Sequence, residues 1–562
     1  MYPFLQCPPL HWHVWIGILA ARCAASWPLL VVGALASYLY RDFRWKRRYW
    51  LAKGIPAPPL FPQLGFFADM VRLGLSQFDA RNLARYGRLF GYFDGPTPVL
   101  VTSDNEMLQQ IFITDFSIFH NRREFDLHGP IMSMAVNFLR DHEWKEMRGI
   151  LQPAFTAAKL RQMSGLLNEC CSQTLDKMAH LADTQEEFDA KELFGRLTLD
   201  VVASSFFGAR IDCQRDPDNL FLRHAKNLFN YISLRNPFLF IAFLFPNLIP
   251  LWKRLGLRFL QKEPVEFFIN STTKIIRMRV RNQQTRKDFV QLMLQHLDQK
   301  ERWALQSKAS AAEQPGPVPV DAEQLASVSA DVLSDVLKMD GLAERAAGSS
   351  SRRSLTLDEI VAQSVIIFVS GYETTAIALS CMAYVLALHP AVQERLHAEI
   401  RRVLPAGGEA SMEQLAQMGY LDACVNETLR LFPSVTRTER QCSEDWYYGG
   451  VKYDQGTVFA VPIYAINRDP DYFPDPEIFD PDRFSKDNKQ RIQRCTFLSF
   501  GQGPRHCLGM RFAYFEIKYV MVRVLQQFRF VRSQRTKVPM QIRDFGFLTP
   551  KAGTWIKLER RQ

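Results

Sequence analysis

The strongest constraint on what this chain can fold into is a loop near its C-terminal end. Residues 497–518 read FLSFGQGPRHCLGMRFAYFEIK, with Phe500, Gly503, Arg505, Cys507 and Gly509 at fixed intervals ahead of an amphipathic pattern. The loop hands one cysteine to a helix start, where the helix dipole and free backbone N–H groups are expected to lower the thiol pKa. Gly503 and Gly509 would let backbone lie flat against a planar group. Phe500 offers a ring beneath it, and Arg505 a cation for an acidic edge. Such a loop needs a large scaffold, and 562 residues, 47% of them hydrophobic and 23% charged, can supply one. Ten cysteines without a C-x-x-C pair argue against a disulfide framework or a structural zinc site.

Cysteine thiolate is an axial ligand of haem iron. On the five loop positions the sequence resembles the cytochrome P-450 haem-thiolate monooxygenases. Other stretches lie in the order that resemblance requires and extend it over essentially the whole chain after the N-terminal segment. Residues 370–375, Ser-Gly-Tyr-Glu-Thr-Thr, sit in a long apolar helix, where a carboxylate is costly to bury without partners. The resemblance implies that Glu373 and Thr374 form an acid–alcohol pair that relays protons. Ile366, Ser370 and Thr374 are spaced i, i+4, i+8 and share one face; the family usually has Ala or Gly where Ser370 stands. Glu427, Arg430 and Arg483 resemble a buried charge triad of structural role, with Asp482 where Glu is more usual. Trp144, Arg148, Arg122 and Arg440 resemble positions that contact haem propionates in the animal microsomal drug- and steroid-oxidising group. The implied cofactor is haem b, with Cys507 as the iron ligand. Ile366, Ser370, Val435 and Phe547 are expected to line an apolar substrate pocket, with Phe119 and residues 238–245 as further candidates.

The N-terminal segment carries a different signal. Residues 23–40 hold no charge, and Arg41, Arg44, Lys46, Arg47, Arg48 and Lys53 follow at once. About 20 apolar residues cross a bilayer, and the positive-inside rule places everything after Tyr40 in the cytosol. Trp45, Tyr49 and Trp50 fit an interfacial aromatic belt. A cleaved signal peptide would carry its basic residues before the apolar core, not after it. The expected layout is an anchor with a basic juxtamembrane segment at 1–53, a proline-rich link at 54–64, and a catalytic domain at 65–562. Residues 303–354, rich in Ala, Ser, Pro and Asp, are expected to form a flexible insertion. The net charge of +11 is then partly juxtamembrane, and no motif supports nucleic-acid binding.

The pattern elsewhere is mostly helical with short strand-like pieces, so the expected class is mainly α with small β-sheets (α+β), the cytochrome P-450 fold, behind an N-terminal transmembrane helix. A hairpin is expected over 91–102 and one long helix from Thr356 to His389. The resemblance implies a monooxygenase in the endoplasmic reticulum membrane, single-pass and with a cytosolic catalytic domain. It inserts one atom of dioxygen into a lipophilic substrate. No flavin or nicotinamide domain is evident, so electrons are expected from an NADPH-dependent flavoprotein reductase, with cytochrome b5 as a second donor. Lys145, Arg148, Arg511 and Lys518 are candidates for the partner's landing surface. The rival readings are a haem-thiolate isomerase or dehydratase acting on a lipid peroxide without external electrons, and a haem carrier without catalysis.

Overall fold

A 32-residue helix, Leu357–Leu388, runs through the middle of the molecule. The computed structural model describes residues 32–34, 37–38, 40–58, 69–123, 129–231, 249–255, 261–283, 286, 288–307, 353–404, 408–544 and 546–561. The long helix starts where a capping box is written in the sequence. Thr356 Oγ1 accepts from Glu359 N at 3.2 Å, and the Glu359 carboxylate accepts from Thr356 N at 2.9 Å. It ends because Pro390 cannot extend the ladder; that proline opens the next helix, Pro390–Val403, in the turn where no N–H is needed. Apolar residues surround the helix on every side, which suits an interior position. Among the described residues it is the one helix long and apolar enough to cross a membrane, and here it is wrapped by protein.

Its principal neighbour is the helix Ala190–Phe207. Gly371 permits the close approach, since a Cβ there would lie 2.8 Å from Val202 Cγ2. The Thr198 hydroxyl then donates to the Tyr372 carbonyl at 3.0 Å across the same contact. Helices Lys262–Arg281, Gly419–Leu431 and Met510–Gln527 also pack on the long helix, burying Leu379, Met382 and Leu386 completely. Each such side chain contributes about 1.5–3 kcal/mol.

The expected hairpin forms. Leu89–Asp94 pairs antiparallel with Thr97–Thr102, and Gly95 takes the left-handed φ of 58° that the turn requires. Thr97–Thr102 then runs parallel to Val458–Val461, which pairs antiparallel with Thr438–Gln441. The last strand carries Glu439 opposite Ala460 and Arg440 opposite Phe459. Small two- and three-stranded sheets complete a mainly helical α+β architecture.

Three expectations change. Trp50 is 0% exposed, and its indole donates to the Tyr92 carbonyl at 3.0 Å, so it belongs to the domain's core and not to an interfacial belt. Residues 54–58 continue this packing, with Ile55 and Ala57 buried and Pro56 O accepting from Gly91 N. The insertion is shorter than its composition suggests. Residues 303–307 complete the helix Gln299–Ser307, and Arg353 pairs with Glu146 and Glu359. Residues 1–31, most of the expected anchor, lie outside the described residues, as do 59–64 of the link, 238–245 and 308–352.

Candidate functional site: a cysteine-floored cavity

The loop Phe497–Gly509 is held from within. Cys507 N donates to Phe500 O at 2.8 Å, and Gly501 N to Leu498 O at 2.8 Å. Gly503 is required for a reason the sequence does not show. Its φ is 72°, and a Cβ would lie 1.9 Å from the Phe112 carbonyl oxygen, so the constraint is backbone against backbone. Gly509, at the start of Met510–Gln527, does line the cavity above the cysteine.

That cavity measures about 670 Å³. Cys507, Phe500 and Arg505 line it from the loop, and Trp144 and Arg148 from the helix Asp141–Leu151. Arg122 and Arg440 complete this side. Across from them on the long helix, Ile366, Ser370 and Thr374 face the cavity together, as their spacing requires. Val435 and Phe547, joined by a β-bridge, close another wall. Phe119 does not belong to it; it is core, packed edge-on against Trp446 and Phe459.

Cys507 is exposed and lines this cavity. Burial pushes its thiol pKa up, with the Gly509 N–H, Arg122 and Arg148 pulling the other way. The expected lowering is therefore outweighed, partly because the helix proper begins only at Met510. A metal ion bound at the sulfur deprotonates a coordinating thiol outright.

The arginines around the cysteine lack ion-pair partners among the described residues. Arg122, Arg148, Arg440 and Arg505 form no ion pair among the described residues, and burial lowers the pKa of each, that of Arg505 to about 9. Arg122 Nε, Arg440 Nε and Arg505 Nη1 are buried without a hydrogen-bond partner. What support exists is neutral: Arg148 donates to His506 O at 3.0 Å, Arg440 to Glu439 O at 2.9 Å, and Arg505 to Leu139 O. The Arg505 guanidinium also lies 4.5 Å from the Trp144 ring centre. Orphaned buried cations are costly unless a ligand brings anions. A planar group with two carboxylates and an iron centre fits this donor set: carboxylates to the arginines, iron to Cys507, ring over apolar walls.

Behind the loop, the triad forms. Arg430 grips Glu427 with two bonds of 2.7 and 2.8 Å, and Arg483 Nε stands 3.5 Å from the same carboxylate. Burial raises the Glu427 pKa, while Arg430, the Asp480 N–H and Arg483 pull it down. Two residues with no motif signal tie the triad to the cysteine loop. Asn467 donates to Arg430 O at 3.0 Å and reaches Ser499 Oγ at 3.4 Å, and Ser499 donates to Leu429 O at 2.9 Å. Asp482 lies outside, paired with exposed Arg395.

The acid–alcohol pair is divided. Thr374 faces the cavity and donates to Ser370 O at 2.7 Å. Glu373 is rotated about 100° away by helix geometry and pairs with Lys191 Nζ at 2.8 Å in a separate polar pocket of about 250 Å³. Phe547 lines both spaces. Lys191, placed by the turn of helix after Asp189, carries no sequence signal; Ser434, which donates to Thr374 O at 2.9 Å, is another residue only the fold reveals.

Of the four landing-surface candidates, Lys518 is buried against Asp422 and Arg148 is turned inward, whereas Lys145 and Arg511 are exposed.

A family model described as cytochrome P-450 matches residues 56–313 and 323–558. Cytochrome P-450 3A29 of pig is 34% identical over 537 residues, covering 95% of this chain and 96% of the pig protein. Cytochrome P-450 3A9 of rat is 34% identical, covering 95% and 97%, and cytochrome P-450 3A12 of dog matches at the same identity and coverage. With the cysteine-floored cavity and its uncompensated arginines, these likenesses assign the chain: it belongs to the cytochrome P-450 family and is a haem-thiolate monooxygenase that binds haem b.

Proposed function

We propose that this chain is a membrane-anchored monooxygenase that hydroxylates lipophilic substrates with electrons from an NADPH-dependent flavoprotein reductase. The observation that carries the reading is the set of four guanidiniums without ion-pair partners among the described residues, around a single cavity-lining cysteine. Haem held there by Cys507 supplies reductive activation of dioxygen and transfer of one oxygen atom, with the thiolate as electron-donating ligand. Arg122, Arg148, Arg440 and Arg505, with Trp144 beneath Arg505, hold its carboxylates. Phe500 and Gly509 leave room for its ring. Glu427, Arg430 and Arg483 keep the loop in place.

The apolar wall of Ile366, Val435 and Phe547 excludes water and takes the substrate body. The Thr374 hydroxyl is the proton-handling group inside the cavity, assisted by Ser370. Glu373 collects protons on the solvent side from the polar pocket it shares with Lys191, and a swing of its side chain off Lys191 hands them across the helix. Exposed Lys145 and Arg511 offer an acidic reductase its landing points, with cytochrome b5 as a second donor. Residues 1–53 hold the anchor and its cytosolic basic cluster, in the endoplasmic reticulum membrane.

The test is the reduced, carbon monoxide-bound spectrum of the full chain, together with product formation from a lipophilic substrate. The wild type shows the thiolate-type band and turns over only with reductase and NADPH. Cys507→Ala loses the band, and Thr374→Ala consumes oxygen without matching product. Turnover of a lipid peroxide without electrons would favour the isomerase reading instead.

A further inference from the structure

Serine and threonine side chains inside a helix commonly spend their hydroxyl on a carbonyl three or four residues back. The long helix follows that habit at three places: Ser364 donates to Ile360 O at 2.8 Å, Thr374 to Ser370 O at 2.7 Å, and Ser380 to Ile377 O at 2.9 Å. Ser370 breaks it. Between Ile360 and Leu388 it is the one exposed residue, and it lines the cavity. Its carbonyl takes the Thr374 proton, while its own hydroxyl has no hydrogen-bond partner among the described residues. The Ser434 hydroxyl, which lines the same space, is committed to Thr374 O at 2.9 Å. Of these three cavity hydroxyls, Ser370 therefore holds the uncommitted proton, in a lining that is otherwise Ile366, Ile367, Val435 and Phe547 on this side. A lipophilic guest that fills the cavity strips water from that hydroxyl. Leaving it unpaired costs more than a hydrogen bond to it gains, so the group discriminates chiefly by penalising a guest that brings no partner.

We propose that Ser370 is a specificity-determining residue: its hydroxyl donates a hydrogen bond to a carbonyl oxygen of the substrate and so selects which carbon is hydroxylated. The inference rests on the monooxygenase reading of the same cavity and deepens it. A carbonyl accepts and has no proton to offer, which matches a group of hydroxyls whose one uncommitted member is a donor. Ser370 precedes Thr374 by four residues, about 6 Å along the axis and on one face. A carbonyl held at Ser370 fixes one end of an apolar body, and the carbon that lies beside Thr374 is then set by its distance from that carbonyl. A body without the oxygen slides along the same lining and presents several carbons.

The experiment uses the haem-loaded full chain and a matched pair of probes, a rigid polycyclic ketone and the hydrocarbon in which a methylene replaces its carbonyl. Each is titrated by the haem absorption shift, and its hydroxylated products are identified. The hydrocarbon leaves water more readily, so the quantity compared is the ratio of the two dissociation constants in wild type and in Ser370→Ala, where the hydration difference cancels. The expected result is a relative affinity for the ketone about fivefold weaker in Ser370→Ala. Hydroxylation of the ketone spreads from one carbon to several, while the hydrocarbon gives the same mixture in both proteins. Alanine is a better helix former than serine, so the variant folds. Ser364→Ala, which removes a hydroxyl spent on the helix itself, leaves the ratio and the products as they are in the wild type. An unchanged ratio in Ser370→Ala overturns the proposal and leaves the monooxygenase reading standing. So does an equal loss of product per oxygen consumed for both probes with the same carbons hydroxylated, which is proton handling without recognition. If neither probe shifts the wild-type spectrum or is hydroxylated, the cavity reading itself falls, and the inference with it.

Discussion

Arg430 and Arg440 are both almost completely buried, at 0% and 1% exposure, and belong to neighbouring segments of one domain. Arg430 is saturated: two bonds to Glu427, a carbonyl contact at 2.7 Å to Asn467, and a phenyl ring beneath. Arg440 has one neutral carbonyl, a ring 5.0 Å away and a nitrogen with no partner. The two clusters cost the fold similar desolvation, but only one recovers it within the chain. A closed cluster stabilises architecture, and an open one stores affinity for a ligand. The second kind is what a binding site looks like before its partner's charges are counted.

The largest test of that contrast is Glu427→Gln. It leaves Arg430 charged and buried beside a neutral amide, and the fold should lose about 3–5 kcal/mol in urea denaturation of the apoprotein. A loss no greater than that of a surface substitution would mean the closed cluster is not what holds this region. Arg440→Met should behave in the reverse way. Apoprotein stability stays level or rises, while haem affinity falls roughly 10–100-fold, the worth of one charged hydrogen-bonded contact. Haem titration of the two variants side by side decides the matter; a destabilised apoprotein with unchanged haem affinity would erase the distinction. The smallest effect is a pH dependence. The folded pKa of Arg505, about 9, lies below its unfolded value. The unfolded chain therefore binds the extra proton, and this group's penalty on the apoprotein shrinks as pH rises through about 9 toward the usual arginine range. Haem affinity should fall over the same interval as the cation is lost. Arg505→Met should show shallower slopes than the wild type, the remainder coming from Arg122, Arg148 and Arg440, and a wild-type titration flat across that range would contradict the assignment.

What could be read from the sequence is what local patterns encode. The start of the long helix at Thr356, the proline stop at 390 and the eight-residue march of Ile366, Ser370 and Thr374 each depend on neighbours within a few turns. The cysteine loop is similarly local, and its family resemblance carried the arginines with it. The misses are tertiary. Glu373 sits one residue from Thr374, yet the helix turns it toward another pocket, where its partner Lys191 lies on a different helix. Gly503 looks like a residue shaped for a ligand, whereas the atom that forbids a side chain is a carbonyl from Phe112. Trp50 reads as a membrane-surface tryptophan until the hairpin is folded against it. The pull of the backbone N–H on the Cys507 thiol is present, but desolvation, which no pattern of letters displays, is the larger effect.

The strand Thr438–Gln441 places Glu439 and Arg440 in adjacent positions, one paired with Arg123 and the other among the arginines around Cys507. Side chains alternate along a strand, so a slip of a single residue would turn each onto the other face. In one direction Glu439 takes the place of Arg440 among the guanidiniums, and in the other Gln441 takes it and the cation is lost. Segments recombined among relatives of this enzyme keep the two roles apart only where this strand keeps its register on Val458–Val461.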